Sequence, residues 1–334
     1  MNKKNMTPKL ICLTSVLNES WFLDRFLQCA SIWADHIIIG DQGSTDGSQE
    51  IAKKYEKVIF FENKRTGEMN EGDYRTPLFE RARQIEGPKI LITLDADEIL
   101  TPNYDSKEWD TIRSAKPGTV LSFTLHNLHP NGTYWQFGDA YTGYVDDGAP
   151  FKRGMIHAPR TIVPAGHDVL LCHDICILHY KFMDWERMLN RNRWYMCYEK
   201  VYKLSFPISI FRRYHQVDTI PAEQWHPWER MWIDGYARYG IEITSVLHQS
   251  NPMWDRQVID YMIKYGASHF RHLNIWDVNW DEKAAALGIE HDKPFKDPRH
   301  LWEKAVNRWL INTQPKQHKT SVHLIEKILK KVYK

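Results

Sequence analysis

Residues 89–98 read KILITLDADE, an apolar run followed at once by acidic side chains. The run at 89–94 is typical of a buried strand, and Asp95 and Asp97 stand at its carboxyl end, where open α/β sheets bind ligands. Two carboxylates this close repel each other. A divalent cation between them and a polyphosphate would offset that repulsion, because hard cations prefer oxygen ligands. A solvated acidic turn is the alternative.

Three more apolar runs precede this stretch, with helical patterns between them. The predicted strands are Leu10–Val16, His36–Gly40 and Val58–Phe61, and the predicted helices follow Asn18 and cover Gln49–Tyr55 and Pro77–Ile85. This alternation predicts an α/β fold with a doubly wound, mostly parallel sheet and right-handed crossovers. We therefore expect a ligand site along the carboxyl edge of the strands.

The pattern changes at Gly118, after which strands are separated by Gly, Pro and Asn turns. The predicted later strands are Thr119–Leu125, Thr133–Phe137, Met155–Val163 and Val169–His179. A helix is predicted from Asp184 to Leu204, and helical stretches continue beyond it. We expect a domain at residues 1–183, with halves at 8–117 and 118–183, and a helical C-terminal region at 184–334.

Composition places the chain among ordinary globular proteins. It has 334 residues, 43% of them hydrophobic, and its 44 Lys and Arg nearly balance its 42 Asp and Glu, so no global field points to nucleic acid as partner. The polar stretch Met1–Lys9 does not have the pattern of a signal peptide, and no apolar run reaches the roughly 18 residues of a membrane span. A cytoplasmic location is the expectation.

The cysteines number five and are scattered through apolar surroundings, which favours buried reduced thiols over disulfides. Cys172 and Cys176, with His173 and His179 nearby, suggest a zinc site as an alternative. The segment alternates like a strand, however, and no second cysteine pair follows it.

Read together, three carboxyl-edge loops describe a nucleotide site. Asp41 can accept a hydrogen bond from a base N–H, and Gly43 and Ser44 allow the backbone close to a ribose. Asp95 can bind ribose hydroxyls, and Asp97 can hold a metal ion on a diphosphate.

The segments LTSVLNE (13–19), IIIGDQGSTDG (37–47) and LDADE (94–98) together resemble an inverting family 2 glycosyltransferase of the GT-A fold. The resemblance covers about residues 8–105. It implies that Ser15, Glu19 and Asp41 lie by the base, Asp95 by the ribose and Asp97 on a Mn2+ or Mg2+ ion. Arg75 falls where such enzymes often place a basic residue near the phosphates.

His179 resembles a histidine that completes the metal or diphosphate site in many relatives, at the end of a late strand before a helix. A neutral imidazole suits this role because it coordinates divalent ions beside carboxylates. A buried core histidine is the alternative, since the chain has 16 histidines.

Inversion requires a general base that deprotonates the acceptor hydroxyl. The family usually supplies Asp or Glu, but no clear counterpart is visible in this sequence. Asp168 is the first candidate and Asp147 the second, although both lie in loops where aspartate is a common turn residue.

The carboxyl-terminal segment 318–334 carries an apolar helical face, with Lys327, Lys330 and Lys331 largely on the other face. Such a helix can lie on the anionic inner face of a membrane, which suits an enzyme with a lipid-linked acceptor. A helix packed on the body, with its lysines in solvent, is the alternative. The 14 tryptophans likewise suit either a saccharide channel or helix packing.

These features predict metal-assisted transfer of a sugar, from a nucleotide-sugar donor such as a UDP-sugar to a saccharide or lipid-linked glycan, in cell-surface polysaccharide biosynthesis. Two alternatives are kept. One is a non-catalytic nucleotide- or saccharide-binding protein of the same fold. The other is a haloacid dehalogenase-like phosphatase, because Asp95-Ala-Asp97 resembles the nucleophile motif of that class. That motif normally opens its domain, however, whereas some 90 residues precede Asp95 here, and Ile99 stands where the class has Thr or Val.

Overall fold

The computed structural model describes residues 7–64, 71–151, 159–203, 205–249 and 251–333. The chain divides into two compact units. The first comprises Met1–Asp184 and Trp225–His248, and the second comprises Trp185–Gln224 and Gln249–Lys334. The predicted boundary at residue 184 therefore marks the end of the first stretch only. Residues 225–248 return to the sheet unit, so the helical region is not one continuous domain.

Across the described residues, nine strands form one mixed sheet in the order β3-β2-β1-β4-β7-β6-β8-β5, with β9 paired to β7. They are β1 (Lys9–Val16), β2 (His36–Asp41), β3 (Val58–Glu62), β4 (Lys89–Thr93), β5 (Glu98–Leu100), β6 (Val120–His129), β7 (Thr133–Val145), β8 (Val169–His179) and β9 (Trp225–Pro227). Strands β1 to β4 are parallel, which confirms the predicted α/β half. Strand β7 joins this half to the later strands by running antiparallel to both β4 and β6.

Two later strands differ from the predictions. Strand β7 continues to Val145, because it pairs with β6 from Thr133 to Tyr144 and also with β4 over its last residues, although Gly138 and Asp139 have the character of turn residues. The first part of the predicted strand at 155–163, residues 155–158, lies outside the described residues. Residues 159–163 are described and do not form a strand, so the prediction is wrong for them.

The helices of the sheet unit are α1 (Leu23–Trp33), α2 (Ser48–Ala52), α3 (Glu71–Arg83), α4 (Lys107–Ser114) and α7 (Arg230–Ala237). Both faces of strand β1 are buried. In β1, Leu10 and Cys12 pack in the cluster that contains α1, while Ile11 and Leu13 pack in the cluster that contains α3. Strands covered on both faces are nearly continuous apolar runs, which is why their positions could be predicted from the sequence.

All five cysteines are buried free thiols. Cys172 and Cys176 lie on β8, and burial raises the pKa of the Cys176 thiol to about 12. Among the described residues, no three His, Cys, Asp or Glu side chains are grouped to hold a metal ion. The structure therefore favours the strand interpretation over zinc.

The helical unit contains α5 (Trp185–Tyr198), α6 (Pro207–Tyr214), α8 (Pro252–Tyr265), α9 (Trp280–Ala286), α10 (Leu301–Thr313) and α11 (Thr320–Val332). Buried Arg212 on α6 joins three helical segments, since it donates to the Leu310 carbonyl at 2.8 Å and the Glu326 carboxylate at 2.8 Å. Trp194, Trp254 and Trp280 are buried, which supports the packing role for these rings. Within the described residues, no helix has the length and apolar character to cross a bilayer.

Candidate active site

The loop after β2 is organised around Asp41, whose side chain is 1% exposed. Its Oδ2 accepts hydrogen bonds from the backbone N–H groups of Gly43 and Ser44, both at 3.0 Å, and from the Gln49 amide at 2.9 Å. The φ of Gly43 is 97°, a conformation that a side chain would strain, so glycine permits this turn. The loop thus uses one carboxylate oxygen of Asp41 to fix its own shape.

Several buried polar atoms have no hydrogen-bond partner in the described part of the chain. Two of them, Oδ1 of Asp41 and Oγ of Ser15, lie at this edge on the neighbouring strands β2 and β1. An unsatisfied buried polar group costs about 1–3 kcal/mol, so a structure retains one where a ligand or water completes it. These two atoms are suited to hydrogen bonding with a nucleobase.

The loops after β1 and β2 hold each other in place. The backbone N–H of Asn18 donates to Ser44 Oγ at 2.9 Å, and that of Glu19 donates to Ser48 Oγ at 2.9 Å. Asn18 adopts a φ of 57°, which is uncommon for a residue with a side chain. Ser44 therefore braces the loop, and Glu19 accepts a hydrogen bond from the Trp21 indole at 2.6 Å.

The acidic turn after β4 is held by an arginine that the sequence did not reveal. Glu98 is fully buried, and one of its oxygens accepts from the Asp95 backbone N–H at 3.0 Å. Arg160 donates from Nη1 to both Glu98 oxygens at 2.6 and 2.7 Å, while its Nη2 lies 2.9 Å from Asp95. The Arg160–Glu98 pair thereby fixes the backbone and the side chain of Asp95 together.

The Asp95 side chain is 42% exposed and also lies 3.7 Å from Nη2 of Arg75. Burial acts to raise the pKa of Asp95, but the positive charges of Arg160 and Arg75 outweigh it and hold that pKa below its usual value. Asp95 is therefore an ionised acceptor for hydroxyl groups. Arg75 does lie at the carboxyl edge, where the sequence placed it.

Asp97 and His179 meet at the same edge. His179 is the last residue of β8 and pairs in register with Glu98 on β5, which brings its Nε2 to 3.5 Å from Oδ2 of Asp97. Both side chains are buried, and the Nδ1 atom of His179 has no hydrogen-bond partner in the described part of the chain. Ligands that each lie about 2.1 Å from one ion are at most about 4.2 Å apart, so this separation permits a shared divalent ion.

The sequence profile described as Glycosyl transferase family 2 matches residues 11–214, which is more than half of the chain. The protein belongs to glycosyltransferase family 2. The predicted family and the GT-A type of α/β fold are thus confirmed, and family membership removes the phosphatase alternative. No curated protein matches the chain significantly.

The solved structures of two glycosyltransferases are similar to this chain, one over part of its length and one over most of it. Glucosyl-3-phosphoglycerate synthase from Mycobacterium tuberculosis, in complex with Mn2+, UDP and glucosyl-3-phosphoglycerate, is 18% identical, with 39% of this chain and 47% of the synthase covered and a TM-score of 0.27. Mannosyltransferase PcManGT from Pyrobaculum calidifontis, in complex with GDP-Man and Mn2+, is 12% identical, with 94% and 87% covered and a TM-score of 0.38. The chain thus spans about half the length of the synthase.

The structure separates both proposed bases from this family 2 site. Asp168 directly precedes β8, and its carbonyl accepts from the Val120 N–H at the start of β6. His179, at the other end of β8, pairs with Asn127, seven residues further along β6 or roughly 23 Å of extended strand. Asp168 therefore lies at the opposite edge of the sheet, which corrects the expectation that it acts at this site.

Asp147 also lies at the opposite edge, because it follows β7, whose end pairs with the start of β4. It accepts hydrogen bonds from the Tyr144 hydroxyl and from the Ala149 N–H. The Tyr144 hydroxyl is the main cause that lowers the pKa of Asp147, which weakens it as a base. Asp147 is therefore an ordinary turn residue, and the interpretation of it as a base is corrected too.

Proposed function

We propose that the protein is a metal-dependent inverting glycosyltransferase that transfers a sugar from a nucleotide donor, a UDP-sugar, to a saccharide or lipid-linked glycan. One observation carries the proposal. The unpartnered oxygen of Asp41, the ionised Asp95 and the buried Asp97–His179 pair all lie at the carboxyl ends of neighbouring elements of one sheet. This is where a family 2 fold binds its donor.

Each side chain has a role in this proposal. Ser15, Glu19 and Asp41 bind the base, with Gly43 and Ser44 shaping the loop next to the ribose. Asp95 accepts from the ribose hydroxyls, and its two arginine neighbours keep it ionised. Arg75 also faces the phosphates.

Asp97 and His179 would hold Mn2+ or Mg2+, because an imidazole and a carboxylate 3.5 Å apart are suitable donors for either ion. When bound, the ion stabilises the negative charge that develops on the leaving diphosphate. The proposal leaves the general base unassigned, since Asp168 and Asp147 lie at the wrong edge.

Thermal-shift measurements test the donor proposal. UDP-glucose, UDP-galactose, UDP-N-acetylglucosamine and GDP-mannose are compared with and without Mn2+. At a concentration of about 100 Kd a ligand adds about 2.7 kcal/mol, which for a chain of this size raises Tm by about 4 °C. We expect UDP-sugars to raise Tm in the presence of Mn2+, and we expect chelation of Mn2+ to remove this increase. No shift with any of these nucleotides would contradict the proposal, and binding without Mn2+-dependent release of UDP would favour the non-catalytic alternative.

We also propose that α11 contacts the cytoplasmic face of a membrane that carries the lipid-linked acceptor. Val322 and Glu326 are buried, so only part of the predicted apolar face packs on the body. Three residues of that face, together with Leu324 beside it, form a stripe whose members are 42–65% exposed: Leu324, Ile325, Ile328 and Val332. On a helical projection Lys327 and Lys331 lie along one side of this stripe, where they can approach anionic lipid headgroups.

Replacing Leu324 and Ile328 together with Gln is expected to weaken binding to vesicles of phosphatidylglycerol and phosphatidylethanolamine at least tenfold, since each side chain loses about 1.5–3 kcal/mol of burial. Vesicle co-sedimentation measures the effect. Ile311→Gln is the matched control, because Ile311 is 50% exposed on α10, outside the stripe. Equal sedimentation of the double variant and the control would contradict the membrane proposal.

A further inference from the structure

A pocket of about 590 Å³ opens on one face of β6, β7 and β8 in the sheet unit. Its floor is a row of three side chains in register across the strands, in which Ser122 on β6 pairs with Tyr141 on β7 and with Leu171 on β8. Asp139 lies two residues before Tyr141 on the same strand and also lines the pocket. The volume is within the range of small-molecule sites.

The floor of the pocket is both apolar and polar. Tyr141 and Leu171 are 43% and 50% exposed, which is high for large apolar side chains within a sheet. Ser122 between them is 1% exposed, and its Oγ has no hydrogen-bond partner among the described residues. A buried hydroxyl of this kind is retained where a ligand or water completes it.

Charge narrows the class of ligand. Asp139 is exposed, and Thr124 Oγ1 donates to one of its oxygens at 2.9 Å. Arg160 also lines the pocket, but its guanidinium is bound by Glu98 and Asp95. The positive charge is therefore compensated, and the carboxylate of Asp139 disfavours an anionic ligand. An apolar ring face with hydroxyls at its rim fits this combination.

Arg160 also connects the pocket to the donor site, because the same guanidinium contacts Asp95. We propose that the pocket receives a neutral pyranose of the acceptor. One face of the sugar ring lies on Tyr141 and Leu171, and Asp139 and Ser122 bind its hydroxyls. The inference rests on the proposed function and adds the class of acceptor, a neutral hydroxyl-rich saccharide, with Asp139 as a specificity-determining residue.

Saturation-transfer NMR with defined glycosides tests the pocket. The probes are the methyl glycosides of glucose, galactose and mannose, compared with methyl glucuronide and glucose 6-phosphate as anionic sugars. We expect ring-proton signals from at least one neutral glycoside and none from the anionic sugars. Asp139→Asn is expected to weaken binding at least tenfold, since a hydrogen bond to a charged group contributes at least that much. Tyr141→Ala is expected to weaken binding at least tenfold as well, because it removes the aromatic face on which the sugar ring lies.

Phe137→Ala is the matched control, since Phe137 is 58% exposed on the same strand but does not line the pocket. The Mn2+-dependent UDP shift serves as a folding control and is expected to be unchanged in all three variants. Equal binding by wild type, Tyr141→Ala and Asp139→Asn would overturn the inference, as would a preference for anionic sugars or no glycoside signal from wild type. Loss of the UDP shift in wild type would instead count against the proposed function.

Discussion

Replacing Asp97 with Asn is expected to lower kcat/KM for Mn2+-dependent release of UDP from a UDP-sugar at least a hundredfold. The substitution keeps the shape of the side chain but removes its charge, 3.5 Å from His179 Nε2. A neutral amide oxygen is a weak ligand, and loss of metal stabilisation of a leaving diphosphate is worth several kcal/mol in the transition state. Coupled detection of UDP with saturating and limiting Mn2+ measures the effect.

Asp35→Asn is the matched control for this experiment. Asp35 precedes β2 at the opposite edge of the sheet and accepts from the Leu10 N–H at 2.8 Å, a hydrogen bond that an asparagine oxygen can also accept. We expect the control to keep wild-type turnover. Full turnover by Asp97→Asn, or an equal loss in the two variants, would show that Asp97 does not serve the metal.

Arg160→Met is expected to lower the free energy of unfolding by about 3 kcal/mol. Its partner Glu98 is fully buried, so the substitution leaves a buried carboxyl group without the arginine that pairs with both of its oxygens. Adding Glu98→Gln should recover much of this loss, because a neutral amide oxygen can still accept from the Asp95 N–H. Urea unfolding of the single and double variants measures both effects.

Arg230→Met is the control for Arg160→Met. Arg230 pairs with Asp234 on α7 at 3.3 Å, but the two side chains are 91% and 57% exposed, so its removal is expected to cost about 1 kcal/mol or less. If Arg160→Met unfolds at the same urea concentration as wild type, or if Glu98→Gln does not improve it, the arginine is not the support of the acidic turn.

The part of the proposed site around Asp41, Asp95 and Asp97 was predictable because its determinants are local. Strands buried on both faces are apolar runs, and a turn such as Asp41 to Ser44 has its own sequence pattern. Once Leu10–Val16 and residues 89–94 are assigned to parallel neighbours, topology brings Asp41 and Asp97 to the same edge. No long-range side-chain contact had to be known to make this prediction.

The proposed acceptor half was not predictable, because long-range strand pairing and side-chain contacts determine it. Arg160 supports Glu98 across 62 residues, and no local pattern indicates that partnership. Asp139 lies inside β7, although Gly138 beside it is typical of a turn. Asp168 was chosen for its residue type alone, whereas the register of β8 against β6 places it far from His179.

Binding of Mn2+ in the presence of UDP tests the central claim most directly. Free Mn2+ gives a strong electron paramagnetic resonance signal, which falls when the ion binds to protein. We expect wild-type protein with UDP to reduce the free signal, and Asp97→Ala with UDP to leave it close to that of buffer with UDP alone. Uptake of Mn2+ by Asp97→Ala as complete as that by wild type would contradict a donor site built on Asp97 and His179.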